Sequence, residues 1–182
     1  MTFPELTTER LQLVEVKVEH APALFKNFSN QKLLQYYGSE PMTEVGQAEK
    51  LVHHFNSSYE AKRGIRWAIL LKDEQHFVGT IGLNLLSMGM KRAEIGYEIH
   101  PDYWRSGITS EALQAVLTYS FKELGLHRMG AVTFLENSAS IGLLEKFGFQ
   151  KEGILRSYIR QGGKSYDAQL FSLLHTEWTC HE

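Results

Sequence analysis

The sequence predicts a mixed α/β (α+β) fold, with one central sheet flanked by helices. Segments in which apolar residues alternate or form short compact runs are interleaved with segments in which they recur at helical spacing. Their order along the chain is β-α-α-β-β-β-α-β-α-β-β, which is typical of a domain built on one mixed sheet. The length of 182 residues suits one core, so residues 1–182 are predicted to form a single domain.

The first third of the chain predicts one strand and two helices. Arg10–Val16 alternates leucines with polar residues, as a half-buried strand does. Residues 19–30 suit a short helix, with Pro22 acceptable in its first turn. Thr43 is predicted to be the N-cap of a second helix. The apolar stripe of that helix consists of Ala48, Leu51, Val52, Phe55 and Tyr59.

Three strands are predicted in the middle of the chain. Arg66–Lys72 and Phe77–Leu86 are apolar runs joined by a short polar turn, which is the pattern of a hairpin. Arg92–His100 alternates, so its side chains are expected to divide between the two faces of a sheet. One face carries Ala93, Ile95, Tyr97 and Ile99, and the other carries Glu94, Gly96, Glu98 and His100.

The last part of the chain predicts two helices and three strands. A long amphipathic helix follows Pro101 and ends at Gly125, a residue type that commonly terminates helices. Its apolar stripe consists of Leu113, Val116, Leu117, Phe121 and Leu124. After it, Met129–Phe134 is predicted to be a strand and residues 138–147 a short helix. Two further strands are predicted over Phe149–Leu155 and Ala168–Leu174.

Charge and cysteine content exclude several classes of protein. Nineteen Lys and Arg residues against 21 Asp and Glu residues give a net charge of −2, without the basic field of a nucleic-acid binder. The one cysteine, Cys180, has no partner for an intrachain disulfide, which favours a reducing compartment. No basic and apolar leader is visible, and no apolar run is long enough to cross a bilayer. We expect a cytoplasmic protein that binds neither nucleic acid nor membrane.

Two further patterns are not expected to carry chemistry. The eight histidines fall in no spacing typical of metal ligands, so no metal site is expected. Gly162–Ser165 resembles the end of a phosphate-binding P-loop, but Tyr158 stands where that loop requires glycine. This segment is therefore predicted to be a hairpin turn between the last two strands.

The first candidate site lies where a strand ends near His100 and a helix begins a few residues later. The turn between them contains Arg105, Ser106 and Gly107. Unpaired N–H groups and the helix dipole favour an anion such as phosphate at a helix N-terminus, and glycine lets the backbone approach it closely. The alternative is an ordinary strand–turn–helix joint that is capped by a serine or threonine.

The second candidate site is the start of the following helix. Asn137 or Ser138 is an N-cap by residue type, and Ser140 falls in the first turn. Asn137 and Ser140 are three residues apart, so both are expected to point toward the mouth between this helix and the preceding strand. One side chain would orient a ligand amide while the other donates a proton. The alternative is that both serve only to cap the helix.

Six segments of the chain together resemble one enzyme superfamily. They are Thr8–Leu13, Phe77–Leu83, Glu94–Ile99, Tyr103–Leu113, Glu136–Ser140 and Leu144–Gly153. Their order, over nearly the whole chain, is similar to that of the GNAT acyltransferases, and specifically to the RimJ/RimL-type branch of ribosomal-protein N-acetyltransferases. The resemblance implies the mostly antiparallel sheet of that fold and acetyl-CoA as cosubstrate, with no metal.

The resemblance also implies a binding site for the cofactor. The acyl-CoA loop of the family, Gln/Arg-x-x-Gly-x-Gly/Ala, falls on Trp104–Thr109, where only Gly107 matches outright. The main chain of the loop is then expected to bind the pyrophosphate, through Arg105, Ser106, Gly107, Ile108 and Thr109. The backbone of Ile99 and His100 would pair with the pantetheine arm. Asn137 and Ser140 would lie near the thioester.

The chemistry implied by the resemblance needs a base, an oxyanion site and an acid. Glu98 is the candidate base, acting through water, and the alternative is that Glu98 is a solvated strand residue. The backbone N–H near Ile99 would hold the oxyanion. Ser140 is the favoured proton donor to the departing thiolate, with Tyr158 as the alternate. Cys180 is not expected to be a covalent relay.

Two classes of function stay open at this point. The first is an N-acetyltransferase that moves an acetyl group from acetyl-CoA to a primary amine by direct attack in a ternary complex. The acceptor is then either a protein N-terminus, as the branch resemblance implies, or a small-molecule amine. The second is a non-catalytic module that keeps the cleft and senses acyl-CoA. The resemblance also implies a homodimer.

Overall fold

Eight strands form one open sheet in residues 2–178, the part of the chain that the structure, a computed structural model, describes. The strands are β1 (Leu6–Thr7), β2 (Leu11–Glu15), β3 (Ile65–Leu71), β4 (His76–Ser87), β5 (Arg92–Ile99), β6 (Arg128–Phe134), β7 (Gln150–Gln161) and β8 (Lys164–Leu174). Their order in the sheet is β1-β2-β3-β4-β5-β6-β8-β7. Every neighbouring pair is antiparallel except β5 and β6. The predicted fold class, one mixed and mostly antiparallel sheet with helices, is confirmed.

Five α-helices accompany the sheet over the same residues. They are α1 (Ala21–Phe28), α2 (Gln31–Leu34), α3 (Val45–Glu60), α4 (Ile108–Thr118) and α5 (Ser138–Lys146). Helix α4 continues into a wider π-helical turn over Tyr119–Glu123 before the chain turns at Gly125, whose φ is +63°. Within residues 2–178, no helix combines the length and the hydropathy needed to span a membrane.

Helices cover both faces of the sheet. Leu117 of α4 and Trp67 of β3 belong to one buried apolar cluster. Leu24 of α1, Val52 of α3 and Ala68 of β3 belong to a second cluster. Because successive strand residues point to opposite faces, Trp67 and Ala68 show that α4 lies on one face and α1 with α3 on the other. Each fully buried leucine stabilises the folded state by roughly 2 kcal/mol relative to an exposed one. Burial of these side chains therefore holds the helices against the sheet.

Strands β5 and β6 pair over three residues and then separate. The paired positions are Arg92 with Arg128, Ala93 with Met129, and Glu94 with Gly130. Strand β5 continues to Ile99 and β6 to Phe134 without further pairing between them. The sheet is therefore open along the second half of β5, which leaves a gap between two otherwise adjacent strands.

The predicted elements agree with the structure in kind and order, with two short additions. β1 has two residues and α2 has four, and both are too short to show a period in the sequence. The predicted N-cap Thr43 is wrong by one residue. Glu44 is the N-cap of α3, while the backbone N–H of Thr43 donates to Gln47 Oε1 at 2.7 Å.

The last two strands are longer than the sequence predicts. The prediction covered Phe149–Leu155 and Ala168–Leu174, whereas β7 and β8 extend to a tight turn at Gly162 and Gly163. The outer part of this hairpin is mostly exposed, so it lacks the apolar alternation that marks a strand. Both turn glycines have positive φ, +59° and +72°, as the hairpin turn of type I′ requires. The hairpin predicted at Gly162–Ser165 is confirmed.

Candidate active site

Two adjoining cavities lie beside the gap between β5 and β6. The larger, of about 700 Å³, is bordered by the turn before α4 and by the first turn of α5. The smaller, of about 280 Å³, is bordered by β3, β4, β5 and β6. Both are lined by Tyr36, Tyr37, Tyr97, Asn137 and Ser140. The shared residues show that the two cavities meet near Ser140.

The turn before α4 presents its backbone to the larger cavity. Gly107 is the N-cap of α4, with φ +83°, and no side chain caps the helix there. Arg105 also has a positive φ, +60°, and lines the cavity together with Gly107 and Thr109. The alternative of a joint capped by serine or threonine is therefore not what the structure has. The uncapped N–H groups and the helix dipole favour an anion at this end of α4.

Two residues of the predicted loop point elsewhere. Ile108 is buried in the apolar core and does not line the cavity. Ser106 is also absent from the lining, and its hydroxyl donates to the carbonyl of Tyr103. The side chains of Ile108 and Ser106 thus shape the turn, and only the backbone at these positions remains a candidate contact for a ligand.

Arg10 fastens this turn to the edge of the sheet. Its Nε lies 2.7 Å from Glu111 Oε2, and its Nη1 donates to the carbonyl of Ser106 at 3.0 Å. The Thr8 hydroxyl donates to the other oxygen of Glu111 at 2.6 Å. Burial raises the pKa of Glu111, but the hydrogen bonds from Thr8 and Arg10 prevail and hold that pKa below its usual range. This role of Arg10 was not predicted from the sequence, although the residue lies in the first matching segment.

Trp104 connects the turn to the end of β5. Its indole N–H donates to the carbonyl of Ile99 at 2.8 Å, and both residues line the larger cavity. His100, predicted to lie beside the cofactor, does not line it. The backbone N–H of His100 donates to the Val78 carbonyl at 2.8 Å, and its ring Nδ1 lies 3.5 Å from Asp102 Oδ2. The structure therefore brings Ile99 into the cleft and leaves His100 outside it.

A pair of hydroxyl groups lies where the two cavities meet. Asn137 is the N-cap of α5, and its Oδ1 accepts the backbone N–H of Ser140 at 3.2 Å. The Ser140 hydroxyl is hydrogen-bonded to the Tyr97 hydroxyl at 2.7 Å. Burial raises the pKa of Tyr97 to about 12, against the opposing effect of the Ser140 hydrogen bond. Tyr97 therefore keeps its proton at neutral pH. The sequence pattern of β5 assigned Tyr97 to the apolar face of the strand, so its hydroxyl was not predicted to be part of the site.

Glu98 is buried on the opposite face of β5. The residue is only 4% exposed, so the interpretation of Glu98 as a solvated strand residue is wrong. Its Oε2 accepts a hydrogen bond from Asn27 of α1 at 2.9 Å, and Thr80 of β4 also acts on the carboxyl group as a hydrogen-bond donor. Burial raises the pKa of Glu98 to about 8, although the Asn27 hydrogen bond acts in the other direction. The carboxyl group borders the larger cavity and is mostly neutral at pH 7.

The remaining candidate residues lie away from this site. Tyr158, the alternate proton donor, is 54% exposed on β7 and lines neither cavity. Cys180 lies outside the residues that the structure describes. Across residues 2–178, no three His, Cys, Asp or Glu side chains come together as a metal site would require.

The geometry fits a long thioester cofactor. An acyl-CoA needs an anion site for its pyrophosphate and an unpaired strand edge along which its amide arm can lie. The uncapped start of α4 and the separated half of β5 provide both. The fold and its cleft thus have the features that an acyl-CoA-binding protein needs.

Comparison with known proteins identifies the family. The model of the family described as "Acetyltransferase (GNAT) domain" matches residues 10–150, so the chain belongs to the GNAT acetyltransferase family. A relative in Bacillus subtilis (strain 168), the uncharacterized N-acetyltransferase YoaA, is 46% identical over 94% of this chain and 97% of its own length. The chain is accordingly an acetyl-CoA-dependent N-acetyltransferase by class.

Two further proteins that the chain resembles are N-acetyltransferases of ribosomal proteins. The [Ribosomal protein uS5]-alanine N-acetyltransferase of Escherichia coli (strain K12) is 31% identical over 59% of this chain and 56% of its own length. The solved structure of RimL, a ribosomal L7/L12 alpha-N-protein acetyltransferase in complex with coenzyme A, superposes with a TM-score of 0.86. That superposition covers 94% of this chain and 98% of RimL at 21% identity, and shows the shared fold. The resemblance inferred from the six segments is confirmed.

The raised pKa of Glu98 predicts a pH-dependent stability. A folded state that holds a proton more tightly than the unfolded state loses stability as pH rises between the two pKa values. We therefore expect the free energy of unfolding of the wild type to fall, relative to that of Glu98→Gln, between pH 5 and pH 8. The free energy of unfolding then changes by up to about 1.4 kcal/mol per pH unit, the value reached where the folded state binds one proton more than the unfolded state.

Urea unfolding at a series of pH values measures this difference. Glu60→Gln, at an exposed position of α3, is the control for the loss of one carboxylate. A difference between wild type and Glu98→Gln that stays constant from pH 5 to pH 8 would contradict the raised pKa.

Proposed function

We propose that this protein transfers an acetyl group from acetyl-CoA to a primary amine by direct attack in a ternary complex. The observation that carries the proposal is the Tyr97–Ser140 hydroxyl pair at the meeting point of two cavities. The larger cavity would hold the cofactor and the smaller one the acceptor amine. The two substrates then meet without a covalent relay on the protein.

The larger cavity suits acetyl-CoA in size and in charge. Its volume of about 700 Å³ is in the usual range for a bound cofactor. The main chain at residues 105–109 would bind the pyrophosphate, with Arg105 adding a positive charge and Arg10 holding the turn in place. The backbone of β5 at Ile99 would pair with the pantetheine arm. The amide of Asn137 would lie near the thioester.

The residues at the junction suit the proton transfers of the reaction. Bound acetyl-CoA supplies an activated acyl group, and the acceptor must be a neutral amine. Glu98, acting through water as a carboxylate, would take the proton of the amine. The backbone N–H near Ile99 would stabilise the oxyanion. Ser140 would give its proton to the departing thiolate and recover one from Tyr97, whose high pKa keeps it protonated.

The acceptor is an α-amine of a protein N-terminus or a small-molecule amine. The uS5-alanine N-acetyltransferase relative favours the first. The chemistry agrees with it, since an α-amino group, with a pKa of about 8, needs less help from a base than a lysine side chain, with a pKa of about 10.4. Assembly as a homodimer and a cytoplasmic location stay predictions.

Gly107→Glu is expected to weaken acetyl-CoA binding by on the order of a hundredfold. The new side chain would start 3.2 Å from Arg10 Nη2, which holds the turn, and would add a negative charge beside the proposed pyrophosphate site at a backbone φ of +83°. Gly125→Glu is the matched control, because it places the same side chain at a φ of +63° at the other end of the α4 segment. Isothermal titration with acetyl-CoA distinguishes the two variants. Wild-type affinity in a folded Gly107→Glu protein would refute the placement of the cofactor.

Ser140→Ala is expected to lower turnover by about a hundredfold while leaving acetyl-CoA affinity unchanged. Tyr97→Phe should lower turnover through the same proton path, so the double variant should lose no more than Ser140→Ala alone. A thiol-release assay over a panel of amines measures these rates. Additive losses would show that the two hydroxyls act separately. Tight acetyl-CoA binding by the wild type without turnover on any amine would instead indicate the non-catalytic sensing module.

Glu98→Gln is expected to remove one limb of the pH–rate profile. If Glu98 acts as a carboxylate, the wild-type kcat rises with pH through a midpoint near its pKa of about 8. If the rise of kcat reports the titration of Glu98, its midpoint stays at the same pH for acceptor amines of different pKa. If the rise reports the titration of the acceptor, its midpoint shifts with the pKa of the acceptor amine. A wild-type limb that is retained in Glu98→Gln would exclude this residue as the base.

A further inference from the structure

The smaller cavity contains a buried arginine that the proposed mechanism does not use. Arg66 of β3 is only 7% exposed, yet its side chain borders this cavity. Its Nη1 donates to the carbonyl of Gly96 and its Nη2 to Asn84 Oδ1, both at 3.0 Å. The ring of Phe55 from α3 lies 5.1 Å from the guanidinium carbon. The guanidinium is therefore held in one place beside the gap between β5 and β6.

Two glycines make room for this side chain. Gly82 of β4 lies opposite Arg66 in the sheet, and Gly96 of β5 lies opposite Gly82. A Cβ at Gly82 would come within 3.0 Å of Arg66 Nε, and one at Gly96 within 2.8 Å of the Asn84 amide nitrogen. The arginine thus lies across three strands over a strip without side chains. This arrangement carries the cation from β3 to the cavity wall.

No carboxylate in the described part of the chain lies within ion-pair distance of Arg66. Glu98 is the other buried residue of a charged type there, and the charge of Arg66 acts to lower its pKa, but burial prevails and leaves Glu98 mostly neutral at pH 7. Glu94 borders the same cavity, but the charges that act on it are those of Arg128 and Arg92. A buried charge without an ion-paired carboxylate is costly, so this cavity favours an anion from outside.

The donors of Arg66 are also incompletely used. A guanidinium has five N–H donors, and two of them are engaged by Gly96 and Asn84. The remaining donors on a planar fork match the two oxygens of a carboxylate. Tyr37 lines the same cavity, and the charge of Arg66 opposes the rise of the Tyr37 pKa that burial causes. A carboxylate beside Arg66 would thus find further donors nearby.

We propose that Arg66, held by Asn84, is an anion subsite that binds a carboxylate of the acceptor, so that the preferred acceptor is an amine that also carries a carboxylate. The proposal rests on the proposed function, because it takes the smaller cavity to be the acceptor site. With a volume of about 280 Å³, that cavity holds a group the size of one amino acid. The carboxylate belongs either to a free amino acid or to an acidic side chain near the N-terminus of a peptide.

Matched pairs of acceptors test the proposal. One arm compares free L-amino acids with their carboxamides, and a second arm compares amidated tripeptides that have Asp or Asn, or Glu or Gln, at the first two positions. Binding to the protein loaded with coenzyme A is measured by isothermal titration, and turnover by thiol release with acetyl-CoA. We expect the carboxylate member to bind and react on the order of tenfold to a hundredfold better in at least one arm. The arm that shows the preference identifies the source of the carboxylate.

Two variants separate recognition from a structural role. Arg66→Met removes the cation, and Asn84→Asp leaves Arg66 in place but supplies a carboxylate 3.0 Å from its Nη2. Both should reduce the ratio between carboxylate and carboxamide acceptors to about one. Arg63→Met, at an exposed position just before β3, is the control for the loss of one positive charge and should keep the wild-type ratio. Because Asn84→Asp keeps the buried arginine, the test stands even if Arg66→Met fails to fold.

The outcomes are distinguishable from those of the proposed function. Equal binding of both members of every pair by the wild type, or an unchanged ratio in Asn84→Asp, overturns the anion subsite. A carboxylate preference in binding, lost in the variants but without any acetyl transfer, supports the subsite and contradicts the proposed function. Transfer with equal rates for both members supports the proposed function and contradicts the subsite.

Discussion

The separation of β5 from β6 is the constraint on which the site depends. The two strands pair over three residues, so the rest of β5 has no neighbour on that side. Backbone polar groups that lack a ladder partner need other partners. Trp104 supplies one to the carbonyl of Ile99. The same gap leaves space for both cavities, so the broken ladder and the cleft are one feature.

Strand alternation then distributes the chemistry over both faces of β5. Tyr97 and Glu98 are neighbours in sequence and point to opposite faces. Tyr97 is hydrogen-bonded to Ser140 of α5, whereas Glu98 accepts a hydrogen bond from Asn27 of α1. Burial raises the pKa of each group, to about 12 and about 8 respectively. One short strand segment thus carries a group that holds its proton and another that titrates near neutral pH.

The parts of the site that are formed by residues close together in the chain could be predicted from the sequence. Gly107 and Asn137 were predicted because a glycine before a helix and an N-cap are set by a few neighbouring residues. Arg10, Tyr97 and Arg66 act through partners that are distant in sequence. Glu111 is 101 residues from Arg10 and Ser140 is 43 from Tyr97, so no short motif can show these contacts.

The sequence by itself determined the fold class, the order of the major elements, the family and the two helix starts that border the cleft. These follow from hydrophobic period, from turn chemistry and from short contiguous segments. Tertiary structure decided where β5 leaves β6, that Glu98 is buried and protonated near neutrality, and that His100 lies outside the cleft. Those properties depend on which strands and helices pack together, and burial and pairing across the sheet are not encoded in any local stretch of residues.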